Sequence, residues 1–282
     1  MIYCKELDKN FESKTELFKA LREAKETIIA SKKAVVYNCK SEDNKGGIPV
    51  KIIDAQKLQA QCKGLDIDDD YYYIAVNTTL ILDHHEDLHV NGIWNKSAKD
   101  QQKKVYLLWD HELKGTMTIV RKEHIEMFVA NISWSLLGRT YAGETEALIY
   151  KFRKDKVIDE RAKEWLDSGD EIQASVRMRY ITILFALNSD EREDKEFKKN
   201  YNKYIGLIAN KDDFKEILYF WAVLEAANVY ESSLVPFGSN SVTGQVKISE
   251  PPLGTPNKEE PLQNTLTVEE FRELVKGNLF KN

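Results

Sequence analysis

Residues 172–180 read Ile172-Gln173-Ala174-Ser175-Val176-Arg177-Met178-Arg179-Tyr180, an unbroken alternation of apolar and polar side chains. Successive side chains of an extended chain point to opposite faces, so this spacing predicts a β-strand. Ala174, Val176, Met178 and Tyr180 are expected on a core face. Gln173, Ser175, Arg177 and Arg179 are expected on an accessible one.

Working outward, residues 71–82, 105–109, 117–121 and 126–134 are rich in aromatic and β-branched residues and predict further strands. Residues 95–104 are polar and predict a helix, as do residues 158–168, which pack Ala162, Trp165 and Leu166 and end at Gly169. Residues 191–210, rich in Lys, Tyr and Phe, fit a surface helix or an inserted lobe. Residues 214–227 are apolar at nearly every position and fit a buried helix or strand. Residues 231–235 form a strand that runs into Pro236-Phe237-Gly238.

Near the start, Ser13 and Glu16 make a capping box. Leu17, Leu21, Ala24 and Ile28 then recur at helical spacing, widened by Phe18 and Ile29, with Lys32 and Lys33 near the C-terminal end. A polar run around Gly46 and Gly47 reads as a loop, and a shorter helix is expected over 54–62. Past Val246, four prolines and Gly254 make an extended linker, and Thr267 caps a short helix bearing Phe271, Leu274 and Val275. Three regions are therefore expected: an N-terminal accessory region over 1–65, a main domain over 66–245, and a linker with a short helix over 246–282.

The chain has 282 residues, 42% of them hydrophobic and 31% charged, with a formal net charge of -5. This balance gives no global case for nucleic-acid binding. No stretch approaches the ~20 apolar residues of a membrane span, and no signal-peptide core follows Met1, so a cytoplasmic protein is expected. Cys4, Cys39 and Cys62 are far apart and read as reduced thiols.

The chain has five histidines: His84, His85, His89, His111 and His124. His111 directly follows the strand at 105–109, where it can project into a cleft and act as a general base, or simply sit in a turn. Ser175 lies on the polar face of its strand beside Arg177 and Arg179. Those arginines can stabilise an oxyanion or form a solvated face. The run Asp83-His84-His85-Glu86-Asp87-Leu88-His89 invites a metal reading, but it looks like a loop and lacks a zinc signature, so no metal is assigned.

Four blocks, in this order, resemble the tailed-phage prohead protease family, which is related in fold to the herpesvirus assembly proteases. The first is the acidic loop over 83–94. The second is Val105-Tyr106-Leu107-Leu108-Trp109-Asp110-His111-Glu112-Leu113-Lys114-Gly115, and the third is Glu171-Ile172-Gln173-Ala174-Ser175-Val176-Arg177-Met178. The fourth is Tyr230-Glu231-Ser232-Ser233-Leu234-Val235-Pro236-Phe237-Gly238-Ser239-Asn240. The family often has a Gly where Arg177 stands, and its usual Pro-Ala-Asn turn reads Gly238-Ser239-Asn240. Residues 191–213 look like an insertion.

The resemblance implies an α+β fold with a β-barrel-like core and surrounding helices. It implies a serine endopeptidase with His111 as base, Ser175 as nucleophile, and Arg177 or Arg179 near the oxyanion. The herpesvirus relatives use a second His as the third member. No His follows Ser175 here, so a carboxylate must serve: Glu231, in the fourth block, with Glu225 as second choice. No cofactor is implied. The implied partners are the phage major capsid protein and scaffold, inside an immature head in the bacterial cytoplasm, with a homo-oligomer as a further expectation. Two other readings stay open: an assembly or scaffold protein that keeps the fold without cleaving, and a metal-dependent hydrolase built on residues 84–89.

Overall fold

A computed structural model describes residues 1–37, 49–50, 53–62, 67–83, 85–168 and 172–235. The expected loop around Gly46, the Gly169 helix end, His84, the turn at 236–240 and everything past Val246 lie outside the described residues. In chain order the elements are β1 (Ile2–Cys4), β2 (Lys9–Phe11), α1 (Lys14–Ala34), β3 (Pro49–Val50), α2 (Ala55–Gln61), β4 (Tyr71–Thr78), β5 (Asp87–His89) and α3 (Asn95–Asp100). There follow β6 (Tyr106–Trp109), β7 (Thr118–Val120), β8 (Glu126–Ser133), β9 (Glu144–Arg153), α4 (Glu160–Ser168), β10 (Ile172–Leu187), α5 (Lys195–Tyr204) and β11 (Tyr219–Val235).

The class is mixed α+β with open sheets. The large sheet runs β3-β10-β11-β6-β7, with β5 also on β11, and the small one runs β4-β9-β8. The expected barrel-like closure is not formed among the described residues: the large sheet ends at β3 and β7, which do not pair, and the small sheet stands apart from it in the ladder. The two sheets instead share one apolar core. Tyr72, Ile74, Leu148, Tyr150 and Phe152 of the small sheet cluster there with Leu107, Trp109, Val176, Met178 and Leu234 of the large one. Burial of this shared surface is the main stabilising term.

The N-terminal residues join the same core through Phe11, Leu17, Phe18, Leu21 and Ile28. Ser13 caps α1 by accepting from the Glu16 N–H at 3.2 Å, while the Glu16 carboxylate accepts from the Glu12 N–H rather than from that of Ser13. Lys32 turns inward instead of staying at the helix end. Its Nζ lies 2.5 Å from Asp87 Oδ1 and 3.0 Å from the His85 carbonyl.

The long antiparallel pair β10–β11 is the spine of the large sheet, and the charged stretch between them folds as α5. Tyr201 and Tyr204 of α5 cover Phe220, Ala222 and Ala186 on the outer face of that pair. The face of β10 expected to be accessible is not uniformly so. Gln173 and Ser175 are buried, Arg177 is half-buried and only Arg179 is exposed. β11 pairs along this whole end of β10 and β3 pairs with Ile172 and Gln173.

Candidate active site

The site is built on β11, with β10 antiparallel on one side and β6 parallel on the other. The register sets Ser175 opposite Ser233, and Leu108 opposite Ser233 from the far side. Glu231 precedes Ser233 by two and so shares its face. The alternate residues Val176, Leu234, Leu107 and Trp109 enter the shared core.

The chain reverses where β6 ends. Asp110 donates its N–H to the Leu234 carbonyl at 3.1 Å, and Asp110 and His111 then take φ of 51° and 57°. Left-handed backbone at residues other than glycine is strained and persists only where the surroundings hold it. Here the turn lays His111 back over β11. The His111 N–H donates to Ser233 Oγ at 2.9 Å, the Ser233 hydroxyl donates to Glu231 Oε2 at 2.6 Å, and His111 Nδ1 lies 2.7 Å from Glu231 Oε1. These three bonds close a ring. An ionised carboxylate only accepts, so the imidazole proton belongs on Nδ1 and the lone pair on Nε2.

Glu231 is fully buried, and His111 and Ser175 are each 5% exposed. Every polar atom of the ring has its partner. Several enclosed polar atoms of the surrounding residues do not, His111 Nε2 and Ser175 Oγ among them. One is an acceptor and the other a hydroxyl that can donate. They belong to residues joined through Ser233, the cross-strand neighbour of Ser175 and the bonding partner of His111. The two atoms do not bond each other, but a base held in one tautomer can take the proton of a hydroxyl that reaches it as the oxygen attacks a carbonyl. Proton transfer needs the two within hydrogen-bond reach, a geometry that often forms only when substrate binds.

The other expected site residues are dispersed. Arg177 follows Ser175 by two, and its Nε is enclosed without a partner. Arg179 is exposed and pairs with Ala227, farther along the sheet. Glu225 lies opposite Thr182, whose hydroxyl is 3.5 Å away, and makes no bond to His111. Between these two carboxylates, the geometry puts Glu231 on the imidazole.

The His84–His89 segment is not a loop throughout, since Asp87–His89 is a short parallel strand on β11. His89 is a core residue. Its Nδ1 lies 3.2 Å from Asn77 Oδ1 and its Nε2 lies 3.1 Å from the Tyr180 hydroxyl. Burial lowers its pKa to about 4, which keeps it neutral. Asp87, also fully buried, is pushed up to about 8 by burial and by Asp83. Among the described residues no group of three or more His, Cys, Asp or Glu side chains is arranged to hold a metal ion.

Sequence reasoning missed Ser233, which closes the ring, and Tyr150, Asn228 and Ser232, which form a buried hydrogen-bonded cluster behind it. Burial, the nearby Glu231 charge among the lesser causes, raises the Tyr150 pKa. The period-two spacing of Glu231 and Ser233 was the available signal for the serine. Comparison of the chain with models of known families, with curated proteins and with solved structures found no match in any of the three.

Proposed function

We propose that this chain is a serine endopeptidase of the prohead-maturation type. The observation that carries the reading is the buried His111–Glu231 bond, which leaves His111 Nε2 unengaged on a residue that bonds Ser233, the cross-strand neighbour of Ser175, whose hydroxyl is also unengaged. In the proposed reaction His111 Nε2 accepts the Ser175 proton while Oγ attacks the scissile carbonyl. The imidazolium, stabilised by Glu231, then gives that proton to the leaving amine. Water, deprotonated by the same nitrogen, hydrolyses the acyl-enzyme. Backbone N–H groups near Ser175, with Arg177, are the proposed oxyanion donors. Arg179 lies too far along the sheet to be the first choice.

The proposed substrates are segments of scaffold and major capsid protein within an immature phage head. Two open sheets around one core would be this chain's counterpart of the barrel-like body that the resemblance implies.

The test is co-expression with a phage major capsid protein and scaffold, wild type against Ser175→Ala, with intact masses of every chain and reaction of the purified protein with a fluorophosphonate. Processing and labelling that vanish in the variant support the proposal. One observation favours a second reading, an assembly protein that no longer cleaves: Ser175 and His111 are enclosed, so peptide reaches them only if their cover moves. Identical masses, with no labelling of the wild type, would select that reading.

A further inference from the structure

The β10–β11 ladder is broken beside the site. Val176 pairs with Ser232, but Met178 pairs with Asn228, so Arg177 alone is opposed by Val229, Tyr230 and Glu231. Tyr230 takes φ of 72° and is 66% exposed. Such a bulge redirects the strand and leaves backbone groups that need partners from elsewhere.

The other edge of β11 is interrupted at the same place. β5 pairs with Trp221–Val223 and β6 with Glu231–Leu234, and the chain between β5 and β6 contains α3. The gap is closed by a side chain. Gln101, at the C-terminal end of α3, accepts the Asn228 N–H at Oε1 (3.1 Å) and donates from Nε2 to the Asn228 carbonyl (2.7 Å). Ser97 Oγ shares that N–H at 3.2 Å. A primary amide that exchanges both bonds with one residue copies the hydrogen-bonded pair of an antiparallel ladder. Gln102 repeats the device on the small sheet, accepting the Met127 N–H at 3.0 Å and donating to the Met127 carbonyl. Two consecutive glutamines thus tie the bulge of one sheet to an internal strand residue of the other.

We infer that Gln101 is a positioning residue that holds the β11 bulge, and through it sets Glu231 against His111. Its kinetic consequence rests on the proteolytic reading, while its structural consequence does not. Asn228 opens the bulge and Glu231 closes it, and Asn228 is anchored on its other side by Tyr150, to which its Nδ2 donates at 2.6 Å. Releasing the Gln101 end frees the bulge to relax toward regular pairing, which would carry Glu231 along the strand.

The test uses the full chain labelled with 15N-histidine, with the His111 Nδ1–H assigned by its loss in His111→Gln. In Gln101→Ala that proton should shift and exchange with water about tenfold faster, as expected for a weakened hydrogen bond. Fluorophosphonate labelling of Ser175 should slow about 100-fold, the scale of a small misplacement of a catalytic group. Gln102→Ala, which removes the clamp on β8 instead, should lower Tm and leave the His111 signal in place. Gln101→Glu keeps the acceptor and drops the donor. It gives an intermediate shift, and decides the matter if Gln101→Ala does not fold. An unchanged Nδ1–H in folded Gln101 variants would overturn the inference. A wild type that resists labelling would overturn the proteolytic reading alone, with the imidazole signal still deciding the role of Gln101.

Discussion

Replacing Glu231 by Gln keeps its shape and removes its charge. The carboxylate accepts two hydrogen bonds, from His111 Nδ1–H and from the Ser233 hydroxyl, and neither oxygen reaches solvent. A glutamine amide accepts at one atom only and presents an NH2 to the other donor. If the NH2 faces Ser233, the hydroxyl proton is stranded. If it faces the imidazole, His111 must move its proton to Nε2, and the base toward Ser175 is lost. One charge-assisted bond is lost and the other becomes neutral, for a destabilisation of about 3 kcal/mol. The kinetic effect is larger, because an amide in place of a triad carboxylate selects the wrong tautomer and removes about three to four orders of magnitude in rate. The assays are urea unfolding and the rate of Ser175 modification by a fluorophosphonate, read by intact mass. A folded Glu231→Gln chain that labels within about threefold of the wild type would refute the assignment of Glu231 as the group that orients His111.

Ser233→Ala strands the buried His111 N–H and one Glu231 oxygen, and should cost about 2 kcal/mol in urea unfolding, with slower labelling of Ser175. An unchanged rate would show that the His111–Glu231 bond needs no third member. The His89 pKa falls from 6.5 to about 4 on folding. The unfolded chain therefore binds the proton more readily, and this stability is present above pH 6.5 and lost as pH falls toward 4. At 1.36 kcal/mol per unit it amounts to about 3 kcal/mol. Unfolding at pH 7 and pH 4 should show the wild type losing that much more than His89→Gln, and parallel losses would count against it. Ser175→Ala deletes an enclosed, unpartnered hydroxyl, and should raise stability by about 1 kcal/mol while abolishing labelling. A destabilised variant would mean that the hydroxyl has a structural partner.

How far the fold was legible follows from how many faces of each strand are buried. β10 was legible over 172–180, where one face carries polar residues. It continues to Leu187 through Ile183, Phe185 and Ala186, which are packed on both faces, so the two-residue pattern disappears. The same happens at the start of β11, where Trp221 and Val223 enter one cluster and Phe220 and Ala222 another. That is why residues 214–227 fitted a helix as well as a strand. β9 escaped notice altogether, because Leu148, Tyr150 and Phe152 face one core and Ala147 and Ile149 the other. At the site, His111 could be placed at a strand end from local pattern alone, whereas Glu231 came from resemblance. Ser233 shares a face with Glu231 by period-two spacing, but its bond to His111 depends on the turn after β6, and Gln101 depends on a helix reaching across a gap, which leaves no periodic trace.

The departures from regular structure are concentrated where the chemistry is proposed. Of the seven non-glycine residues with left-handed φ among the described residues, Asp110, His111 and Tyr230 border this one cluster. The widest register shift of the β10–β11 ladder lies between Ser175 and Arg179, and Ser175 Oγ, Arg177 Nε and Asn228 Oδ1 are enclosed there without partners. The bulge moves Glu231, the left-handed turn moves His111, and Ser175 stays in register as the fixed member. Each distortion costs stability, on the order of 1–3 kcal/mol per strained residue. The strained residues lie together with the complete Ser233–Glu231–His111 ring, and this coincidence is why we propose the cleaving reading over the non-cleaving one.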